Sequence, residues 1–336
     1  MILVTGATGF LGSRIVDRLL HRGETNLRVL VRSSSSRQRL DEVVGGHPGA
    51  KVEVFVGSLG SKERAAEALD GCNVVVHAAA ALSGAPADIC LNTVVTTRNL
   101  LEAMVAQESK PTLVHISSFG VYGVACLPRA TVVNERTQLE TNPERRDTYS
   151  QAKLRQELLV WEYHGRHGLP VVILRPGVVY GPNGSAFSTR VGLNLFGLFL
   201  HLGGDNLLPI TYVDNCAEAI ALAAQSSDAV GEVYNVVDND LVTAAEYLAL
   251  YKREVKPLKS VRVPYVGMLA LSALVERYHT FSKGQLPAIF TPYKTAVAWK
   301  GNRFDNGKLR RLGWAPIVGT QDGLARTFAY LRQKAS

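Results

Sequence analysis

The sequence predicts an α/β protein in which a doubly wound parallel sheet carries helices on both faces. Two observations predict this fold class. Through residue 120, short runs rich in β-branched residues alternate with segments of helical period. A glycine-rich stretch, "TGATGFLGS" at residues 5–13, stands where the first strand should turn into the first helix. The 336 residues, 46% of them hydrophobic and 20% charged, suffice for a sizeable core.

The strands and helices can be placed in order along the chain. The first five predicted strands read "ILVT", "LRVLV", "VEVFV", "NVVVH" and "TLVHIS". In the first helix Leu11, Ile15 and Leu19 fall on one face, and "TRNLLEAMVAQ" repeats this pattern around Leu100 and Met104. Two further strands, "PVVILRP" and "GEVYNVV", are predicted later in the chain.

The turn after the first strand has the three glycines that a dinucleotide site needs. Gly6, Gly9 and Gly12 would let the backbone turn tightly and approach a pyrophosphate, whose charge is met by main-chain amides and the positive end of the helix. Because the motif follows an apolar strand and opens an amphipathic helix, we predict a Rossmann-type sheet that binds a dinucleotide. Thr8, Phe10 and Leu11 of the same turn are included in the predicted cofactor site.

The end of the second strand indicates which dinucleotide binds. A carboxylate at this place would hold both ribose hydroxyls of NAD(H). The strand "LRVLV" instead ends in Arg32, which is followed by Ser33 and three further serines. Because a guanidinium binds phosphate through paired hydrogen bonds, the sequence favours the 2′-phosphate of NADP(H), with NAD(H) as the alternative.

The regular alternation also predicts the domain organisation. Residues 178–215 and 238–320 are richer in Pro and Gly, which indicates a smaller lobe assembled from insertions. We predict an NADP(H)-binding domain over residues 1–177, to which residues 211–237 return. A smaller substrate-binding lobe would take residues 178–210 and 238–320, and residues 321–336 would form a C-terminal helix.

Composition indicates which ligands, compartment and membrane association to expect. The 37 Lys and Arg against 29 Asp and Glu give +8 without a basic tract that interleaves aromatics, which argues against nucleic acid. Four cysteines without paired spacing and the lack of a signal-peptide pattern lead us to expect no metal and a cytoplasmic protein. The runs "LNLFGLFL" and "VGMLALSALV" are shorter than the ~20 residues of a spanning helix, although either could touch a membrane surface.

Tyr149 and Lys153 in "DTYSQAK" stand four residues apart on what reads as the first turn of a helix. Side chains at this spacing share a face. A neighbouring ammonium should lower the pKa of the phenol from its ordinary value of about 10. The pair could then exchange a proton with an alcohol or carbonyl oxygen, although the spacing alone would suit two ordinary helix residues.

Five motifs in order give the chain a resemblance over nearly its whole length. They are "TGATGFLGS", "VVVHAAA" at 74–80, "HISSFGVYG" at 115–123, "YSQAK" at 149–153 and "LRPGVVYGP" at 174–182. The chain resembles the extended short-chain dehydrogenases/reductases, often labelled the NAD-dependent epimerase/dehydratase family. This resemblance implies a NAD(P)-dependent oxidoreductase.

The resemblance also implies residue roles. Tyr149 would give a proton to a ketone oxygen as hydride arrives, and Ser118 would hydrogen-bond the same oxygen. Lys153 would lower the tyrosine pKa and hold the nicotinamide ribose. Further cofactor contacts are implied at Ser58, Leu59, Ala78, Ala79, Ala80, Pro176, Gly177 and Val179.

The chain departs from the family pattern at two places. Before "NLLEA" the family usually has an Asn, but Thr93 stands in register and Asn92 lies one place off, so we assign no proton relay there. After the third strand the family tends to have Asp where this chain has Ser58. His77, His115 and His164 are interpreted as packed or solvated strand and helix residues without a catalytic role.

The resemblance also bears on the substrate. Nucleotide-sugar enzymes commonly carry Asn in place of Gly177 and an Arg before the "VxD" segment, where this chain reads "LLPITYVDN". The late segment "KGQLPAIFTPYKTAVAWKGNRFDNGKLRRLGWAP" instead resembles the 3β-hydroxysteroid and 4-carboxysterol dehydrogenases. We therefore expect a hydrophobic ketone or secondary alcohol: steroid-like, polyketide-like or a β-keto acid.

Other interpretations stay open. The chain could be a nucleotide-sugar epimerase, dehydratase or reductase, or a catalytically silent protein that senses nucleotides. Its apolar runs could also cover the sheet or form a dimer face. Family members are often dimers packed through the helices that would hold residues 92–106 and 149–164, so a homodimer is an expectation too.

Overall fold

The computed structural model describes residues 1–195, 197–282 and 290–335. The beginning of the late segment that resembles steroid dehydrogenases, residues 283–289, lies outside the described residues. The described strands are β1 (Ile2–Thr5), β2 (Asn26–Val31), β3 (Lys51–Val56), β4 (Val74–His77), β5 (Thr112–Ile116), β6 (Val132–Val133), β7 (Val171–Pro176), β8 (Val178–Tyr180), β9 (Gly192–Leu195), β10 (Leu198–His201), β11 (Ile210–Tyr212), β12 (Val233–Val236), β13 (Ser260–Arg262) and β14 (Arg303–Phe304). The described α-helices are α1 (Phe10–His21), α2 (Gln38–Gly45), α3 (Lys62–Leu69), α4 (Pro86–Cys90), α5 (Thr96–Val105), α6 (Thr148–His167), α7 (Val213–Gln225), α8 (Ala244–Glu254), α9 (Tyr265–Phe281), α10 (Pro292–Trp299), α11 (Gly307–Arg311) and α12 (Thr320–Ala335).

Seven strands form the main sheet in the order β3-β2-β1-β4-β5-β7-β12, and all neighbours in it are parallel. This sheet confirms the predicted α/β fold class. The strand order changes direction between β1 and β4, and ligands of such sheets bind in the crevice outside the carboxyl ends at that point. The Gly-rich turn follows β1 at this crevice.

The sheet is covered on both faces, which explains why its strands are nearly continuous apolar runs. Alternate residues of β1 enter two separate core clusters: Ile2 and Val4 pack with α1 and α7, whereas Leu3 packs with α3, α5 and α6. The two clusters hold the helices at fixed positions relative to the strand ends. Residues that follow the strands are therefore presented at one rim of the sheet.

A second group of elements lies beyond the sheet. The strands β9, β10 and β13 form a small sheet, and β11 pairs with β8. A further core cluster packs α8 and α12 against β8 and β11. The division of the chain into two domains at the predicted boundaries stays a prediction. Within the described ranges, no helix is both long and apolar enough to cross a bilayer.

Candidate active site

A cavity of about 940 Å³ opens beside the residues that follow β1, β4, β5 and β7. It is lined by all but one of the residues that the sequence assigned to catalysis or to cofactor binding. The lining includes Gly6, Thr8, Gly9, Phe10, Leu11, Gly12, Arg32, Ser58, Leu59, Ala78, Ala79, Ala80, Ser118, Tyr149, Lys153, Pro176, Gly177 and Val179. The structure thus brings together, in one space, motifs that lie far apart in the chain.

The glycine turn has the geometry of a cradle for a pyrophosphate. Gly6 has a φ of +71°, a backbone conformation that residues with a side chain rarely adopt. At Gly12 an added Cβ would lie 1.9 Å from the carbonyl oxygen of Gly6, so helix α1 can approach the turn only without a side chain there. The first turn of α1 thereby presents its unpaired amides to the cavity, where a phosphate would fit.

The loop after β2 differs from the prediction in one residue. Arg32 lines the cavity as expected, but Ser33 does not, and Ser35 takes the place that we assigned to it. The reason is a turn in which the amide of Ser35 donates to the carbonyl of Arg32 over 3.0 Å. Arg32 is exposed and has no ion-pair partner among the described residues, so its guanidinium is available to an anion.

The start of α6 places Tyr149 in the cavity. Asp147 caps the helix, because its carboxylate accepts the amide of Ser150 at 2.9 Å and the Ser150 hydroxyl at 2.7 Å. Tyr149 is therefore in the first turn, as predicted. Ser118 follows β5 in extended conformation, and its hydroxyl, which accepts the amide of Gly120 at 3.0 Å, lies within hydrogen-bonding reach of the Tyr149 phenol.

The pKa of Tyr149 departs from the expectation. Burial raises the pKa of the phenol, and the hydrogen bond with Ser118 only partly offsets that effect. The expected lowering by Lys153 is wrong for this arrangement, because burial outweighs the other effects and the Lys153 ammonium is hydrogen-bonded elsewhere. Its Nζ donates 2.6 Å to the carbonyl oxygen of Ile116 and also to the Gln156 side chain. Tyr149 is thus a phenol at neutral pH.

Lys153 is almost completely buried, with 2% of its surface exposed. Burial lowers the pKa of its ammonium to about 7, and the nearby carboxylate of Glu157 acts in the opposite direction. That carboxylate is itself held by Arg175 at 2.5 Å and by the hydroxyl of Ser117. The reacting end of α6 therefore rests on a buried ion pair that sequence reasoning missed, although Glu157 stands four residues after Lys153.

His77 and His115 lie next to this lysine but are uncharged. His77 exchanges hydrogen bonds of 2.8 Å with the hydroxyls of Thr5 and Thr97, and burial lowers its pKa to about 3. Burial also lowers the pKa of His115 well below its ordinary value. Both imidazoles are packed within strands, in agreement with their interpretation from the sequence.

Apolar side chains from outside the predicted cofactor site also line the cavity, beside polar ones such as Asn183, Ser185 and Ser188. Phe187, Val191, Leu208 and Tyr247 line it, and sequence analysis named none of them because they come from irregular segments and from α8. Within the described lining, Arg32 and Lys153 are the cationic residues, and both belong to the predicted cofactor site. An apolar molecule with a carbonyl or hydroxyl group would suit this space.

One cluster outside the cavity has the residue types of a metal site. The ligand atoms of Asp17, His21 and His47 all lie within 4.8 Å of one another. However, His21 Nδ1 lies 2.9 Å from the main-chain oxygen of Asp17, and His47 Nε2 lies 3.1 Å from the Asp17 carboxylate, which also pairs with Arg14. Hydrogen bonds and an ion pair account for these contacts, and we assign no metal to them.

Comparisons with known proteins agree with this geometry. Residues 2–236 match the model of the NAD dependent epimerase/dehydratase family. A 3beta-hydroxysteroid-dehydrogenase/decarboxylase, isoform 2, of Arabidopsis thaliana is 26% identical over 97% of this chain, which spans only 61% of that relative's length. The 4-hydroxy-2-methyl-3-oxo-4-farnesyl-3,4-dihydroquinoline-1-oxide ketoreductase of Stigmatella aurantiaca is 28% identical, over 96% of this chain and 93% of its own length. The crystal structure of gox2253 has a TM-score of 0.81 and 26% identity, and the match covers 99% of this chain and 98% of that one. Similar proteins also include UDP-glucose dehydratases and epimerases, some solved with NAD.

Proposed function

The chain is an enzyme of the NAD dependent epimerase/dehydratase family, and we propose that it interconverts a ketone and a secondary alcohol on a hydrophobic substrate with NADP(H). The family match confirms the resemblance drawn from the five sequence motifs. The observation that carries the proposal is the position of Ser118, Tyr149 and Lys153 in a cavity that Phe187, Val191, Leu208 and Tyr247 also line. Substrates of steroid-like, polyketide-like or β-keto acid type fit this description.

The geometry supports a role for each side chain in ketone reduction. When bound, the nicotinamide supplies the hydride, and the glycine turn, Ala78, Ala79 and Ala80 would hold the cofactor. Because the pKa of Tyr149 is raised, its phenol carries the proton that the ketone oxygen needs. Ser118, beside that phenol, would donate a hydrogen bond to the same oxygen and stabilise its developing charge.

The charge of Lys153 serves cofactor binding. Its buried ammonium would hold the nicotinamide ribose, as the resemblance implies, and a charge-assisted hydrogen bond to a ribose hydroxyl is stronger than a neutral one. Burial lowers the Lys153 pKa to about 7, so a rise in pH through that value would remove this cation. We therefore expect reduction to weaken on the alkaline side of neutrality.

Two relatives support the hydrophobic substrate class: one is named as a hydroxysteroid dehydrogenase and one as a ketoreductase of a farnesylated quinoline. A nucleotide-sugar enzyme is the second candidate, since enzymes of UDP-glucose are also similar to this chain. Against it stands Gly177, where an added Cβ would lie 2.0 Å from the carbonyl oxygen of Pro209 and leave no room for the Asn of those enzymes.

One experiment separates the classes. NADPH consumption is followed by absorbance with a panel of hydrophobic ketones and β-keto acids. A panel of nucleotide sugars is incubated beside it with either dinucleotide and analysed by chromatography of the products, because epimerisation and dehydration return the hydride and consume no NADPH. Turnover of hydrophobic ketones supports the proposal. Conversion of a nucleotide sugar, together with protection of the fold against heat by UDP, would replace it with the second candidate. A chain that binds NADPH but turns over neither panel would favour the nucleotide-sensing interpretation.

The same proposal includes two surfaces. Helix α9 exposes Val266, Leu274 and Phe281, with exposed fractions of 75%, 67% and 84%, which suits peripheral contact with a membrane that holds such substrates. Val95 and Leu158 are exposed on the segments, residues 92–106 and 149–164, that would form a homodimer. Co-sedimentation with anionic vesicles tests whether α9 contacts a membrane. Analytical ultracentrifugation tests whether the protein is a homodimer.

A further inference from the structure

We propose that Gln156 is a positioning residue that holds the Lys153 ammonium for the Tyr149 site and ties it to the turn around Thr93. The inference rests on the proposed use of Lys153, but it concerns a residue that neither the motifs nor the comparisons assign. It concerns the same turn in which Thr93 stands where the family usually has an Asn.

Both the oxygen and the nitrogen of the Gln156 side-chain amide have hydrogen-bond partners. The side chain is fully buried, and its oxygen accepts a hydrogen bond from Lys153 Nζ. Its nitrogen donates to the Thr97 hydroxyl at 2.7 Å and lies 3.4 Å from the carbonyl oxygen of Thr93. Because an ammonium can only donate, the amide oxygen must face Lys153, so the side chain has one orientation.

The far end of this link lies beside the cavity, whose lining includes the neighbouring Asn92 and Thr96. Thr93 is buried in a π-helical turn, Leu91–Val95, a backbone form that often occurs at functional sites. Its hydroxyl accepts the amide of Ala81 at 3.1 Å, and its carbonyl accepts the Thr97 hydroxyl at 2.6 Å. Gln156 thus joins the lysine to the segment that follows the predicted cofactor residues Ala78 to Ala80.

We also infer that it matters that the Gln156 side chain is uncharged, because an uncharged partner can hold Lys153 without cancelling its charge. Lys153 uses two of its three N–H donors on Ile116 and Gln156, and neither partner carries a charge. The carboxylate of Glu157 is committed to Arg175 and Ser117. The ammonium is therefore fixed in place without a counter-charge bonded to it, and its remaining N–H is left for a ligand.

The groups that face Lys153 leave it as the residue that titrates near neutrality. They are Tyr149 and Glu157 on α6, His77 on β4 and His115 on β5, with Arg175 of β7 behind Glu157. The two histidines stay neutral because burial lowers their pKa values. Tyr149 stays a phenol because its pKa is raised.

The test measures the dissociation constant of NADPH by fluorescence titration between pH 6 and 9 for the wild type, Gln156→Glu and Gln156→Met. Gln151→Met serves as the control, since Gln151 lies on the same helix and donates to the main-chain oxygen of Arg146 instead. The titration of NADPH itself is common to all four proteins, so differences between their profiles belong to the protein.

We expect affinity to fall as pH rises through the Lys153 transition. A carboxylate at position 156 should move this transition up by about one pH unit or more, and the loss of the acceptor in Gln156→Met should move it down. Gln151→Met should leave it unchanged. Equal profiles in all four proteins, or shifts of both Gln156 variants in the same direction, would overturn the proposal, because a merely structural role changes affinity without such opposite shifts.

A second readout does not need the cofactor. Since the Lys153 pKa is lowered on folding, the unfolded chain binds more protons above pH 7, and this residue makes the free energy of unfolding rise with pH up to its ordinary value of about 10.4. Gln156→Glu should flatten that rise, and Gln156→Met should not. An unchanged slope would contradict the proposal. Neither measurement uses a ketone, so a failure of the proposed substrate class would leave both results interpretable.

Discussion

At the scale of single residues, burial decides the electrostatics of the site. The spacing of Tyr149 and Lys153 correctly placed both side chains on one helix beside the crevice, but it gave the wrong direction for the tyrosine pKa. Spacing fixes where a side chain starts, whereas the direction of its charged end depends on acceptors elsewhere. The acceptors of the Lys153 ammonium are the carbonyl oxygen of Ile116, at the end of β5, and the side chain of Gln156, which lies about one turn later on α6.

Arg32 provides the residue-scale prediction for the cofactor. Arg32→Ala should weaken NADPH binding by roughly tenfold or more, because one charge-assisted hydrogen bond is worth about 1.5–3 kcal/mol. NADH lacks the 2′-phosphate, so its dissociation constant should change little. Calorimetric titration of both dinucleotides measures the difference, and Arg37→Ala, which removes the guanidinium that pairs with Asp41, is the matched control. Equal losses for the two dinucleotides would remove the argument for NADP(H).

At the scale of elements, helix α6 connects the chemistry to the core. Its first turns carry Tyr149 and Lys153, and the next turn carries Glu157, which pairs with Arg175 of β7. Arg175 also donates to the Tyr122 hydroxyl at 3.0 Å, which in turn donates to Asn235 at 2.6 Å. The helix is thereby held to β7 and to β12 behind the reacting groups.

Glu157→Gln should destabilise the fold strongly, because it leaves the Arg175 guanidinium buried without its counter-charge. The expected loss is about 3–5 kcal/mol, measured by urea denaturation. Glu162→Gln is the control on the same helix: Glu162 pairs with Arg166 at the surface, and such pairs contribute about 0–1 kcal/mol. Similar losses in the two variants would show that the buried pair does not hold α6 in place.

The elements also show what a sequence can predict. The period of 3.6 and the β-branched runs identified the strands and helices of the main sheet, because each is buried on defined faces. The three-residue strand β13 and its neighbours β9 and β10 carry no such pattern, and pairing between distant segments creates them. Sequence reasoning also predicted the wrong serine after β2. The cavity is lined by Ser35 and not by the predicted Ser33, because the chain turns after Arg32 and does not continue as an extended strand.

At the scale of the whole molecule, one sheet edge collects the motifs into a single cavity. The fold class and the family were predictable because glycine spacing and strand order are local features with strong physical constraints. The apolar lining by Phe187, Val191, Leu208 and Tyr247 was not predictable, because it depends on how irregular segments and α8 pack over the sheet. The substrate class is therefore a proposal that rests on this packing.

The measurement that tests the central claim most directly compares the wild type with Tyr149→Phe in NADPH-dependent reduction of a hydrophobic ketone, with NADPH affinity measured in parallel. The account predicts that the variant binds NADPH as the wild type does but loses about 10²–10⁴-fold in turnover, because the proton donor is gone and little else has changed. Turnover within a few-fold of the wild type, at equal NADPH affinity, would contradict the account.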